Sequence, residues 1–171
     1  MIRPQQIYAY LLVLALGAVF QAPVMAKQVV GWVENVKVYN GNKQLVIKSK
    51  IDTGAKTTSI NSPHYKIFKK EGKRWVRFKV ISFVDREIVI EKPLARTVKI
   101  KRHFGTWQTR PVILLGLCLG NIYQETEVNL VDRSGLNYQL LVGRRFLEKG
   151  TLVDSSQTFL KEPECTPPNE P

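Results

Sequence analysis

The chain has 171 residues, 44% of them hydrophobic, which suits one domain with a real core and is too short for several. Lysine and arginine outnumber aspartate and glutamate by 26 to 14, a net charge of +12, so acidic partners are favoured: polysaccharide, nucleic acid or anionic lipid. Little aromatic interleaving accompanies that charge, which argues against a base-stacking surface and leaves a solvated basic face as the plain alternative.

The first element is a leader. Arg3 supplies a positive start, Ile7 to Phe20 is an apolar stretch, and Val24-Met25-Ala26 ends it with small residues at a cleavage position. The stretch is short for a membrane span, which needs ~20 residues; an uncleaved N-terminal anchor is the competing reading. Residues 1–26 are therefore expected to direct export to a bacterial periplasm, leaving a chain that starts at Lys27. Removing Arg3 with the leader lowers +12 to +11.

Residues 27–162 read as the folded domain. Val29 to Tyr39 alternates as one or two strands, and Asn40-Gly41-Asn42 is a hairpin signal. Leu45 to Ile51 alternates again and runs into Asp52-Thr53-Gly54-Ala55. A carboxylate at the end of a strand, followed by a hydroxyl and a glycine, suits a catalytic turn. The hydroxyl of Thr53 can brace it, and Gly54 lets the backbone approach so that its N–H donates to the carboxylate. Asp, Thr and Gly are also ordinary turn residues, so a simple Asx turn fits as well. Further on, Trp75 to Phe83, Glu87 to Glu91, Val98 to Lys101, Pro111 to Leu119 and Ile122 to Val131 read as strands. Asp85-Arg86 and Gly120-Asn121 make turns between them. Ser134-Gly135 leads into Leu140-Leu141-Val142, and Arg144 to Lys149 is the one helical stretch, stopped by Gly150. Strands at this spacing argue an all-β barrel. The segment from Pro163 to Pro171 is rich in Pro and Glu and is expected to be disordered.

Two cysteines, Cys118 in a strand and Cys165 in the tail, either pair in an oxidising compartment or stay apart, Cys118 buried and Cys165 free or intermolecular. His64 and His103 are isolated, and no Cys/His spacing suggests a metal site; no cofactor is expected.

The Asp52 turn, the Asn129-Leu130-Val131-Asp132-Arg133 segment and Leu140-Leu141-Val142-Gly143-Arg144 together resemble the retropepsin-like aspartic proteases. Lys50-Ile51-Asp52-Thr53-Gly54-Ala55-Lys56-Thr57 is similar to a bacterial branch labelled ATP-dependent zinc proteases, often found beside ATP-grasp peptide ligases. Neither zinc nor ATP finds support here: there is no metal-ligand spacing and no phosphate-binding glycine loop. The resemblance implies a closed retropepsin-like β-barrel with one short C-terminal helix beginning at Gly143. It makes Asp52, Thr53 and Gly54 catalytic, Ala55 and Lys56 substrate-binding, and Gly143 and Arg144 supports of the site.

The chain holds one Asp-Thr-Gly turn; Asp85, Asp132 and Asp154 lack the Thr-Gly that follows Asp52. Aspartic proteases need two carboxylates sharing a proton. One turn supplies them only across a two-fold homodimer. Two departures follow from the resemblance. An acid normally follows the Ala and meets the arginine of the Gly-Arg pair, but here Lys56 stands there. Lys56 should point away from Arg144, which must find Asp132, Glu127 or backbone carbonyls instead. The covering flap, expected at Lys73 to Lys92, has no glycine at its Asp85-Arg86 tip. The resulting reading is a periplasmic aspartic endopeptidase acting on peptides or proteins. The alternative is an inactive relative that binds a peptide or an acidic envelope glycan. No nucleic-acid partner is expected.

Overall fold

A computed structural model describes residues 26–82, 86–101 and 105–168. The leader up to residue 25, the expected Asp85 turn and His103 lie outside those residues. No helix of the described residues is long and apolar enough to cross a membrane.

The protein is all-β, as its alternating pattern predicts. Its elements in chain order are β1 (Gln28–Asn40), β2 (Lys43–Ile51), β3 (Thr58–Asn61), β4 (Tyr65–Lys70), β5 (Lys73–Ile81), β6 (Glu87–Pro93), β7 (Arg96–Lys101), β8 (Trp107–Leu119), β9 (Ile122–Val131), β10 (Leu140–Val142), the helix α1 (Arg144–Leu147) and β11 (Thr151–Thr158). Eight strands form one sheet in the order β11-β1-β2-β10-β3-β9-β8-β7, and β1 also pairs with β8 through Lys37–Cys118, Val38–Leu117 and Tyr39–Gly116. The remaining β4-β5-β6 form a three-stranded sheet. The β1–β2 hairpin turns at Gly41, whose φ of 57° suits a residue without Cβ. The β4–β5 hairpin turns at Glu71-Gly72, both at positive φ, the primed turn that matches strand twist.

Alternation places one face of each strand inward. Val36 and Val38 of β1, Ile47 of β2, Leu115 and Leu117 of β8, Val128 and Leu130 of β9, and Leu140 and Val142 of β10 are buried together. The small sheet adds Val76, Phe78, Val80 and Ile90 to the same cluster, so both sheets share one core. From α1, Phe146 and Leu147 enter it.

Beyond Gly150, β11 runs parallel to the start of β1, with Val29 opposite Leu152 and Gly31 opposite Asp154. The segment from Pro163, expected to be disordered because it is rich in Pro and Glu, is docked as far as residue 168. Cys165 is disulfide-bonded to Cys118, the N–H of Glu164 donates to the Gly120 carbonyl at 2.8 Å, the Tyr39 hydroxyl donates to the Cys165 carbonyl at 3.0 Å, and Pro163 is buried. Upstream, the fully buried Glu34 carboxylate accepts backbone N–H groups from Gly31 (2.6 Å), Leu160 (2.9 Å) and Lys161 (3.3 Å). A covalent link and a buried carboxylate thus supply what the tail's own side chains lack.

Candidate active site

The Asp52 turn sits where two distant segments meet. β10 lies parallel to β2, with Leu141 opposite Lys50 and Val142 opposite Ile51, and the Asp52 N–H donates to the Val142 carbonyl at 2.9 Å. Leu140 and Val142 are buried beneath the turn, and Leu141 is half-buried. The Asp52 carboxylate closes the turn on itself: Oδ1 accepts the N–H of Gly54 at 2.9 Å and of Ala55 at 3.2 Å. Oδ2 stays partly open, with Lys50 Nζ at 3.6 Å. Two backbone donors hold the carboxylate in one orientation. At Gly54 a Cβ would stand 3.2 Å from that same Oδ1.

Gly143 and Arg144 buttress the turn from below. Gly143 donates its N–H to Thr58 Oγ1 at 3.2 Å. A Cβ there would lie 2.7 Å from the Thr57 carbonyl carbon and 3.0 Å from the Ala55 oxygen, so close approach is what requires the glycine. The Arg144 N–H donates to the Ala55 carbonyl at 2.8 Å, and its Nη1 donates to the carbonyls of Thr53 (3.0 Å) and Gly54 (2.8 Å). Arg144 therefore uses backbone carbonyls of its own chain in place of the acid that Lys56 replaces. Glu127, a candidate partner in sequence, goes elsewhere: it takes Arg96 Nε at 2.8 Å and Nη2 at 2.7 Å, and also Arg145 Nη1. The Arg96 hydrogen bonds hold the Glu127 carboxyl below its ordinary range. Thr53 is exposed, and its recorded contact is made by its carbonyl, whereas the hydroxyl that braces this region is that of Thr58. Lys56 is exposed; its carbonyl accepts the Arg145 N–H at 3.2 Å.

Beside the turn lies a hollow of about 290 Å³, walled by Ala55 and Lys56 on one side and by Val98, Ile100 and Arg110 on the other. The covering elements are thus β7 and β8, which pair from Arg96–Val112 to Lys101–Trp107. The described residues of the segment Lys73 to Lys92, expected to cover the cleft, instead form β5 and β6 of the small sheet, and none of them lines this wall. Gly105 at φ 77° lies in the β7–β8 connection, where the glycine sought at Asp85-Arg86 is found.

The hollow's charge is one-sided: Lys56, Arg96, Arg110 and Arg133 line it and, among the described residues, no acidic residue does. In sequence Lys56 stands out beside the Asp52 turn and Arg133 as part of the Asn129–Arg133 segment, but nothing there tells the burial of Arg133. Arg96 and Arg110 carry no local signal at all; only the β7–β8 and β8–β9 pairings bring them to the Asp52 turn. His64 lies away from the hollow, and among the described residues no group of three His, Cys, Asp or Glu is placed to hold a metal ion.

A strand-end carboxylate locked by two backbone N–H groups, braced by a Gly-Arg helix start, is the arrangement of the retropepsin-like proteins. The family model described as "RimB-like: Retropepsin-like aspartic endopeptidase RimB" matches residues 29–164, and the chain belongs to that family. Among curated relatives it is 34% identical over 116 residues to a probable alpha-L-glutamate ligase of Shewanella pealeana, covering 66% of this chain and 25% of that protein. It is 32% identical over 111 residues to one of Desulfotalea psychrophila, covering 63% and 24%. The chain thus spans about a quarter of the length of the curated relatives it matches. Among solved structures it is similar to Lpg0085, a protein of unknown function from Legionella pneumophila, at 30% identity and a TM-score of 0.66, over 78% of this chain and 98% of that one.

Proposed function

We propose that the protein is a homodimeric aspartic endopeptidase of the periplasm that hydrolyses acidic, glutamate-containing peptides or proteins. The observation that carries this reading is the pairing of the locked Asp52 carboxylate with a neighbouring hollow whose charged lining, among the described residues, is entirely cationic. Relatives named for glutamate ligation are consistent with it. The ring of pairings β1-β2-β10-β3-β9-β8 and back to β1 is read as a closed barrel, the scaffold such a site needs.

In the mechanism, two Asp52 side chains face each other across a two-fold axis and share one proton. The ionised one removes a proton from water as it attacks the peptide carbonyl. The protonated one donates to the carbonyl oxygen, and the tetrahedral species collapses with a proton passing to the leaving amine. Gly54 and Ala55 aim the carboxylate, while Gly143 and Arg144 hold the turn in place. Lys56 offers a charge to an acidic side chain where an acid would otherwise anchor substrate backbone. Export is supported by the Arg3 to Ala26 leader pattern and by the Cys118–Cys165 disulfide, which suits an oxidising compartment.

The test is hydrolysis of a glutamate-containing peptide by wild type and Asp52→Asn. Activity at acidic to mildly acidic pH, lost at least about a thousandfold in Asp52→Asn with unchanged circular dichroism and unaffected by a chelator, is expected. Turnover that survives the substitution, or that the chelator abolishes, refutes the mechanism. A second reading, an inactive module binding an acidic peptide or envelope glycan, is favoured by one contact. Lys50 Nζ lies 3.6 Å from Asp52 Oδ2 and occupies the carboxylate oxygen that the turn leaves free. A dimer in which the two Asp52 carboxylates are held apart would select that reading.

A further inference from the structure

We propose that Arg133 is a specificity-determining residue that receives a carboxylate of the bound substrate in the hollow beside Asp52. The inference rests on the reading of that hollow as a substrate site. Arg133 is only 8% exposed, yet it lines the hollow. A guanidinium does not lose its proton at ordinary pH, so its charge is carried into that buried position. Burial pulls its pKa down, and the nearby Asp52 carboxylate restores only part of the loss.

Its hydrogen bonds fix it without neutralising it. Nε donates to the Tyr138 carbonyl at 2.9 Å, Nη1 to Ser59 Oγ at 3.3 Å, and the backbone N–H to Asn61 Oδ1 at 2.6 Å. All three acceptors are uncharged. The five ion pairs among the described residues leave Arg133 out. Asp52 itself is occupied by Gly54, Ala55 and Lys50.

The other cations of the hollow differ. Arg96 has a bidentate carboxylate partner in Glu127. Arg110 is held by Gln108 at 2.9 Å and Asn129 at 3.3 Å. Lys56 is exposed and hydrated. Arg133 alone among them is desolvated with no ion pair of its own, the Asp52 carboxylate offsetting only part of that loss. Burying a charge without a counter-charge is costly, and the cost is recovered when a ligand brings the anion. The same low-dielectric setting makes the incoming carboxylate feel Arg133 more strongly than Lys56. With Nε and one Nη1 hydrogen engaged, the second Nη1 hydrogen and the two on Nη2 are the donors left for that carboxylate. The carboxylate comes either from a glutamate or aspartate side chain or from the C-terminus of the peptide.

The experiment measures binding in the full chain carrying Asp52→Asn, so that it does not depend on turnover. Fluorescence polarisation compares three labelled peptides: tetraglutamate, tetraglutamine, and tetraglutamate with an amidated C-terminus. The expected result is a preference for tetraglutamate over tetraglutamine of about tenfold or more, the scale of one charge-assisted hydrogen bond. Adding Arg133→Met should reduce it to about threefold or less. Arg133→Lys, which keeps the charge without the fork, should fall between and serves if the Met variant does not fold. Because tetraglutamine keeps its C-terminal carboxylate, a preference for tetraglutamate that depends on Arg133 and survives amidation assigns the side chain, whereas an Arg133-dependent loss of affinity on amidation assigns the C-terminus. Affinity for tetraglutamate and its preference both unchanged in folded Arg133→Met or Arg133→Lys, or no binding of any of the three peptides, overturns the proposal. Wild type that binds with the Arg133-dependent preference but does not hydrolyse tetraglutamate would instead refute the peptidase reading and leave Arg133 in its role.

Discussion

The disulfide is the strongest single constraint on this fold that an experimenter can remove without touching the site. It links Cys118 in β8 to Cys165 across a separation of 47 residues. Closing a loop of that length removes chain entropy from the unfolded state worth about 4 kcal/mol at 25 °C in the loop-closure model. Reduction leaves Cys118 as a buried thiol, which behaves as a small apolar side chain, so no new buried charge offsets the count. The bonds from Glu164 to Gly120 and from Tyr39 to Cys165 remain available to the tail and recover a part. A loss of about 2–4 kcal/mol is therefore expected on reduction. With a urea m-value of about 2 kcal/mol/M, the unfolding midpoint should drop by about 1–2 M. Tryptophan fluorescence during urea titration, with and without dithiothreitol, reads it directly, since Trp75 is half-buried against the small sheet. Cys165→Ser should match the reduced protein. Trypsin should then cut at Lys161 in the reduced form sooner than in the oxidised form. Coincident urea midpoints for oxidised, reduced and Cys165→Ser protein would refute the entropic argument and show that the tail is held by its non-covalent contacts alone.

Two further substitutions probe how the Asp52 turn is supported. Gly143→Ala should destabilise by about 2–3 kcal/mol and lower activity with it, since the new Cβ meets backbone at 2.7 and 2.9 Å on Thr57, which cannot swing aside as a side chain would; chemical denaturation reads the first and peptide hydrolysis the second. Glu127→Gln should cost about 1–2 kcal/mol, because one carboxylate joins β9 to Arg96 of β7 and Arg145 of α1. The folded pKa of Glu127 is lowered from 4.5, so its contribution is fully present above that unfolded value and is lost as pH falls through the folded one. The stability gap between wild type and Glu127→Gln should accordingly stay constant from pH 7 to about 5 and close toward pH 3 in thermal melts.

How much of this was legible in the residues depends on the range over which each signal acts. Alternation in Leu45 to Ile51 and in Ile122 to Val131 is local, and those strands lie where the pattern puts them. The joining of Asp52 to Gly143-Arg144 was legible as well, because the resemblance carried both segments at once. β3 and β11 were not, since each is short or largely exposed and is made by its partners: β3 by β9 and β10, β11 by the start of β1. β4 was hidden for another reason. Tyr65 to Lys70 is exposed along its whole length except for half-buried Phe68, so it shows no buried face, and only its hairpin with β5 defines it. The misplaced flap follows from the same blindness. Lys73 to Lys92 and Arg96 to Gln108 are both charged hairpins in sequence, and nothing local says which one overhangs the Asp52 turn. That is decided by β8, whose buried half, Pro111 to Leu119, pairs with β9 and carries its outer half and β7 over the hollow. The charge of the site obeys the same logic. Lys56, beside the Asp52 turn, is conspicuous in sequence but exposed in the fold. Arg133 sits in a turn-rich stretch that reads as solvent-facing, and burial is imposed on it by Ser59 and Asn61 of β3 and by Tyr138 of its own loop. A charge gains strength as a recognition group through the water it has lost, and that loss is written in tertiary contacts, so the motif that makes Arg133 visible in sequence says nothing of the burial that sets it apart from Lys56.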